Sequence, residues 1–137
     1  MASNTSPIFP LTPIVGIATL TAATAITSRA NITGTTGLVQ LTATSTNGTK
    51  VDQITVEAKG TTVANTVSIW IYNGTTSYLY YEIPVTAITP NTTTIQAFTS
   101  TVTFNNLVLP PTYQLYISEQ VGTTSADFNI YAFGGQY

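Results

Sequence analysis

The chain of 137 residues contains no histidine and no cysteine, which removes the commonest general base, the commonest metal ligand and the most reactive nucleophile. Its five acids, Asp52, Glu57, Glu82, Glu119 and Asp127, are scattered along the sequence. A pair of carboxylates can hydrolyse a glycosidic bond when a fold brings them together, but no spacing here pairs any two, and solvated strand or loop acids are the expectation. Serine and threonine are abundant, yet a hydroxyl needs an activating neighbour. No Gly-x-Ser-x-Gly elbow, Ser-x-x-Lys pair, phosphate-binding Gly-rich loop or acid-dense calcium loop is present. The expectation is a protein that is not an enzyme and takes no cofactor and no metal.

The residues suited to binding are aromatic and apolar. Trp70, Tyr72, Tyr78, Tyr80 and Tyr81 lie within twelve positions, and aromatic faces beside Asn and Gln can stack on sugars or anchor a protein partner. Ordinary cross-strand aromatic packing is the competing reading. Near the N-terminus, Ile8, Phe9 and Leu11 stand among Pro7, Pro10 and Pro13. Proline removes ladder donors and favours extended backbone, so residues 1–13 read as an arm whose three apolar side chains need a groove, one that a neighbouring subunit could supply. Five Asn-x-Ser/Thr matches, at Asn4, Asn31, Asn47, Asn73 and Asn91, are what a threonine-rich chain generates by chance.

Composition narrows the partners. Charged residues make up 6% of the chain and net charge is −2; three cations, Arg29, Lys50 and Lys59, cannot neutralise a run of phosphates, so nucleic acid is not expected as a partner. No apolar stretch approaches the roughly eighteen residues of a membrane helix, and the first residues lack the basic and apolar regions of a secretion signal. The lack of cysteine fits either synthesis in a reducing compartment or a particle stabilised by assembly. Threonine, about a fifth of the chain, takes over the solvation that charges usually provide and suits the wet face of a strand.

These features must be positioned by strands. Short segments rich in Val, Ile, Tyr, Phe and Thr, punctuated by Gly, Asn and Pro, predict strands near residues 14–20, 37–44, 51–58, 66–72, 77–85, 99–104, 113–118 and 127–133. Alternation places Ile54, Val56 and Ala58 on a buried face, with Thr55 and Glu57 opposite. It places Val67, Ile69 and Ile71 inward, with Trp70 and Tyr72 outward. Asn73-Gly74 predicts a hairpin joining the fourth and fifth strands. Residues 19–30 read as a loop. The expected architecture is a single-domain, all-β, antiparallel β-sandwich, jelly-roll-like, over residues 14–137, preceded by the extended arm 1–13.

Three signatures, Thr12-Pro13 followed by Gly16, Gly48-Thr49-Lys50-Val51-Asp52-Gln53-Ile54, and the closing Gly134-Gly135-Gln136-Tyr137, occur in an order and spacing that resembles small β-sandwich virion accessory proteins of tailed phages, of the decoration type. That resemblance spans nearly the whole chain and carries no catalytic residues. It implies a β-sandwich that sits on a capsid or belongs to a tail appendage. The leading expectation is a capsid decoration or cement protein, made in the bacterial host cytoplasm and placed on the capsid surface of the virion, with the major capsid protein and further copies of itself as partners; a purely structural tail or connector component is a further reading. A homotrimer is expected because icosahedral shells offer threefold positions between subunits. The alternative is a receptor- or glycan-binding module of a head or tail fibre, with cell-surface glycan bound by the Trp70–Tyr81 aromatics.

Overall fold

A computed structural model describes residues 9–10, 12–21, 25–121 and 127–137. Within these the chain forms nine strands: β1 (Thr12–Leu20), β2 (Ile32–Thr33), β3 (Val39–Gln40), β4 (Thr49–Ala58), β5 (Asn65–Tyr72), β6 (Thr76–Val85), β7 (Thr99–Leu109), β8 (Gln114–Glu119) and β9 (Phe128–Gln136). They make a four-stranded sheet of order β1-β9-β4-β7 and a five-stranded sheet of order β2-β6-β5-β8-β3. Every strand pairing is antiparallel, and the pairs nest: β5 with β6, β4 with β7, β3 with β8 and β1 with β9. The chain is thus a two-stranded ribbon, turned at its middle and rolled over itself, with β2 added outside β6.

The turn at the middle is the Asn73-Gly74 hairpin. Asn73 Oδ1 accepts from the backbone N–H groups of Thr75 and Thr76 at 3.0 and 2.8 Å, and Gly74 takes the positive φ of 95° that the loop needs.

Between the sheets lies one core. The four-stranded sheet contributes Leu20, Val51, Ile54, Val56, Leu107, Leu109, Phe128 and Ile130, and the five-stranded sheet Val67, Ile69, Ile83, Leu115 and Ile117. Ile54 and Val56 alternate with wetter Thr55 and Glu57, as period two requires. Val51 would fall on the wrong side of that alternation. An irregularity between Val51 and Gln53 against both neighbours restores it, leaving Asp52 exposed. Of the expected inward trio on β5, Val67 and Ile69 are fully buried and Ile71 packs against the core half-buried.

Two expectations are corrected. The expected boundary after residue 13 does not hold: Thr12 and Pro13 already belong to β1, paired with Gln136 and Gly135, and proline is tolerated there because β1 is a terminal strand, while residues 1–8 and 11 of the expected arm lie outside the described residues. Trp70 lies on the face of β5 opposite Val67 and Ile69, as alternation places it, but at 1% exposed it is not part of the candidate aromatic binding surface. The connection from β2 to β3 crosses the outer side of the five-stranded sheet, from β6 at one margin to β8 at the other, with Gly34 O accepting from the buried Ser77 Oγ at 2.7 Å. Outer-side Ser68, Trp70, Ser77 and Ser118 are all buried.

Candidate binding surfaces

The three sequence signatures meet at one end of the four-stranded sheet. Thr12 and Thr49 both pair with Gln136, Pro13 and Lys50 both pair with Gly135, and Val51 pairs with Gly134. Gly134 is required by close approach: a Cβ there would lie 1.9 Å from the carbonyl oxygen of Lys50. Gly135 is overlain by Pro10, 2.5 Å from the position a Cβ would take. Phe9, 70% exposed, borders a shallow cleft with Pro10, Pro13, Lys50, Asp52, Gly134 and Gly135. Of the arm residues expected to bind a partner, Phe9 is thus exposed beside the signature end, while Ile8 and Leu11 lie outside the described residues. Nearby, Asn47, Val108, Leu109, Pro110, Pro111 and Tyr137 line an open apolar cleft of about 510 Å³.

The aromatic group Trp70–Tyr81 is divided by the fold into three environments. Trp70 is buried and its Nε1–H donates to Ser118 Oγ at 2.9 Å. Tyr72 packs edge-on against Tyr116, with ring centroids 5.5 Å apart; burial raises the Tyr116 hydroxyl pKa above its ordinary value. Tyr80 is the extra residue of a bulge, since Ile69 pairs with Tyr81 and Trp70 with Leu79. Both Tyr80 and Tyr81 reach Phe104 of β7 in the other sheet, at 5.9 and 5.6 Å, closing the margin of the sandwich. Those two, with Tyr78, remain about two-fifths exposed (43%, 41% and 42%). An accessible aromatic surface therefore exists, made of Tyr78, Tyr80, Tyr81 and Phe104, without Trp70.

A second exposed surface was not read from the sequence. On the outer side of the four-stranded sheet, Val15 of β1 pairs with Phe133 of β9, and Ile17 pairs with Tyr131. Val15, Ile17 and Phe133 are 54%, 65% and 38% exposed, and the Tyr131 and Phe133 rings stack at 6.5 Å. Beyond them the same rows continue into Gln53 and Thr55 of β4 and Thr103 and Thr101 of β7, where Thr55 and Thr101 hydroxyls bond at 2.9 Å. An apolar half of the face thus adjoins a threonine-rich half. The available signal was that β1 and β9 carry apolar residues at both parities: in a two-layer sandwich only one parity can reach the core.

Charge offers little to a partner. Each of the three cations has a carboxylate: Arg29 with Glu82 at 2.9 Å, Lys50 with Asp52 at 2.7 Å, and Lys59 with Asp127 at 3.9 Å. Glu119, expected to be solvated, is 1% exposed. It pairs with core-facing Val67 and shares the parity of Leu115 and Ile117, and its Oε2 accepts from Asn65 Nδ2 at 2.9 Å. Burial pushes its pKa up to about 7; the Asn65 hydrogen bond opposes the shift and the negative charge of Asp127 adds to it. Asn65 also clamps Val121, donating to its carbonyl and accepting from its N–H, so Glu119 belongs to a structural network at the end of β8. Among the described residues no group of three or more acids is arranged to hold a metal ion. Comparison with family models, with curated proteins and with solved structures returns no match to this chain.

Proposed function

We propose that this chain is a decoration protein of a tailed-phage capsid, which binds the outer shell as a homo-oligomer, bridges major capsid subunits and stabilises them without catalysing a reaction. The observation that carries this reading is the apolar row of exposed Val15, Ile17 and Phe133 with partly exposed Tyr131, on a sheet face whose neighbouring strands carry Thr55, Thr101 and Thr103, with the exposed Glu57 at its far row. Contiguous exposed apolar surface rimmed by polar groups marks a protein contact, and repetition over a lattice lets modest contacts at each copy add up. The three signatures that resemble virion accessory proteins converge on the same sheet, beside Phe9. Read as jelly-roll-like, the two-sheet antiparallel sandwich would belong to an architecture used by viral shell proteins and by lectins; that is compatible with the reading and does not by itself select it. Particles lacking the protein are expected to assemble but to burst sooner under heat or osmotic shock, with resistance restored by adding the purified protein. Equal survival of bare and decorated particles would reject the reading.

A second reading, a receptor- or glycan-binding module of a fibre, is favoured by one observation, the partly exposed Tyr78, Tyr80, Tyr81 and Phe104 at the sandwich margin. With all three cations engaged by carboxylates, a neutral sugar would suit that surface better than an acidic one. Titration with neutral oligosaccharides, lost on Tyr80→Ala, would support it; no binding at millimolar sugar would remove it.

A further inference from the structure

β1 is the terminal strand of its sheet, paired with β9 on one side. Among the described residues, none of Thr12–Leu20 makes a backbone hydrogen bond to any segment other than β9. A terminal strand points every second backbone N–H and C=O away from its sheet, and proteins usually guard such an edge with charge, a bulge or great shortness. β1 has nine residues, no charge and an unbroken register with β9, and its one proline, Pro13, stands at its second position. The other margin of the same sheet, β7, is by contrast broken by the irregularity that spans Thr103 to Leu107. Beside the β1 edge lies the apolar row of Val15, Ile17, Tyr131 and Phe133.

The partner that fits must therefore offer a strand edge and neutral apolar side chains together. A charged partner is disfavoured at the β1 edge itself: β1 carries no charge, Lys50 and Lys59 are held by Asp52 and Asp127, and the exposed Glu57 stands on β4, two strands away. A second copy of β1 supplies both features. If two β1 strands run antiparallel about a two-fold axis through Gly16, residues equidistant from Gly16 face each other. Val15 then meets Ile17 of the second copy, and odd-numbered outward residues meet odd-numbered outward residues, so both apolar rows share one face. Gly16 places no side chain on the axis, and its core side rests against the Leu41 carbonyl, 2.2 Å from where a Cβ would be.

We propose that β1 of one copy pairs with β1 of a second copy, joining two four-stranded sheets into one continuous sheet across the dimer. The proposal rests on the homo-oligomeric reading above and names the partner at that surface; a dimer replaces the trimer that shell symmetry alone suggests. Sedimentation equilibrium of the full-length chain should give a dimer. Ile17→Lys should weaken association on the order of a hundredfold, as loss of an interface hot spot does, while the circular dichroism spectrum stays unchanged because Ile17 faces outward. In this cysteine-free chain, the double variant Val15→Cys, Ile17→Cys should oxidise to a covalent dimer, whereas Thr101→Cys, on the polar half of the face, should not. A monomeric or trimeric wild type, an Ile17→Lys variant that dimerises normally, or failure of the double variant to cross-link would overturn the proposal. A dimer that fails to bind shells would reject decoration and leave the pairing standing; a monomer that binds shells would do the reverse.

Discussion

The indole N–H of Trp70 donates to the hydroxyl of Ser118 across 2.9 Å, and the two residues are 1% and 0% exposed. They sit on paired strands, Trp70 opposite Tyr116 and Ser68 opposite Ser118, on the side of the sheet facing away from the core. The chain's single tryptophan is therefore a structural element of the outer layer. Its fluorescence should be blue-shifted and shielded from acrylamide in the native protein. Trp70→Ala should cost about 3–5 kcal/mol in denaturant titrations, the usual range for removing a buried aromatic. Emission resembling that of an exposed indole would show that Trp70 is not buried.

Ile69 is fully buried in the sandwich, so Ile69→Ala should cost about 2–5 kcal/mol through lost transfer energy and a residual cavity. The comparison is with Val108→Ala, which shortens a side chain exposed on β7, at the margin of the sheet away from β1, and should change stability by no more than about 0.5 kcal/mol. Equal losses at the two positions would mean that the faces of the sheets are misassigned.

Stability should fall as pH rises from about 4.5 towards 7, and Glu119 should be the cause. Below 4.5, its ordinary value, the carboxyl is protonated whether the chain is folded or not. Between there and about 7, the folded state keeps a proton that the unfolded state has released. The contribution is fully present at low pH and is lost as pH climbs through the folded value, by about 3 kcal/mol in all. Glu119→Gln can still accept from Asn65 and cannot ionise, so its stability should lack this component. Parallel pH profiles of wild type and variant would contradict the assignment.

Gly134→Ala should destabilise by about 2 kcal/mol or more, because the added methyl meets the Lys50 backbone at the β4–β9 irregularity and no flexible side chain is there to yield. Gly74→Ala is the matched control. Nothing lies within 4 Å of its Cβ position and its penalty is backbone strain alone, about 1 kcal/mol. Thermal melts should rank Gly134→Ala below Gly74→Ala; the reverse order would remove the packing explanation for the closing signature.

Much of the fold was legible because local rules acted alone. Asn73-Gly74 dictated its hairpin, and Ile54, Val56 and Ala58 followed strict alternation to the core. The misreadings share a physical origin in tertiary cover. Trp70 sits at an outward parity but is buried, its indole N–H held by Ser118 of the neighbouring strand, which alternation on β5 cannot foresee. Glu119 looks like a surface acid until its parity with Leu115 and Ile117 is known, and Tyr80 and Tyr81 were separated from Trp70 by a bulge that no turn residue announces. The Val15–Phe133 row needed the β1–β9 register, a contact between the two ends of the chain.

The arm gives a further expectation. Removing residues 1–9 spares Thr12 and Pro13, which pair within β1, so the shortened chain should keep its β-type circular dichroism spectrum while binding shells more weakly, Phe9 being exposed beside the signature cleft. Unaltered shell binding would exclude the arm as a contact.

Under the proposed reading, absolute quantification by mass spectrometry of particles purified from a phage whose genome carries this sequence tests shell decoration most directly. Copies in constant proportion to the major capsid protein, released together when shells are stripped, are the predicted result. A handful of copies per particle fractionating with tails or fibres, or none at all, would contradict it.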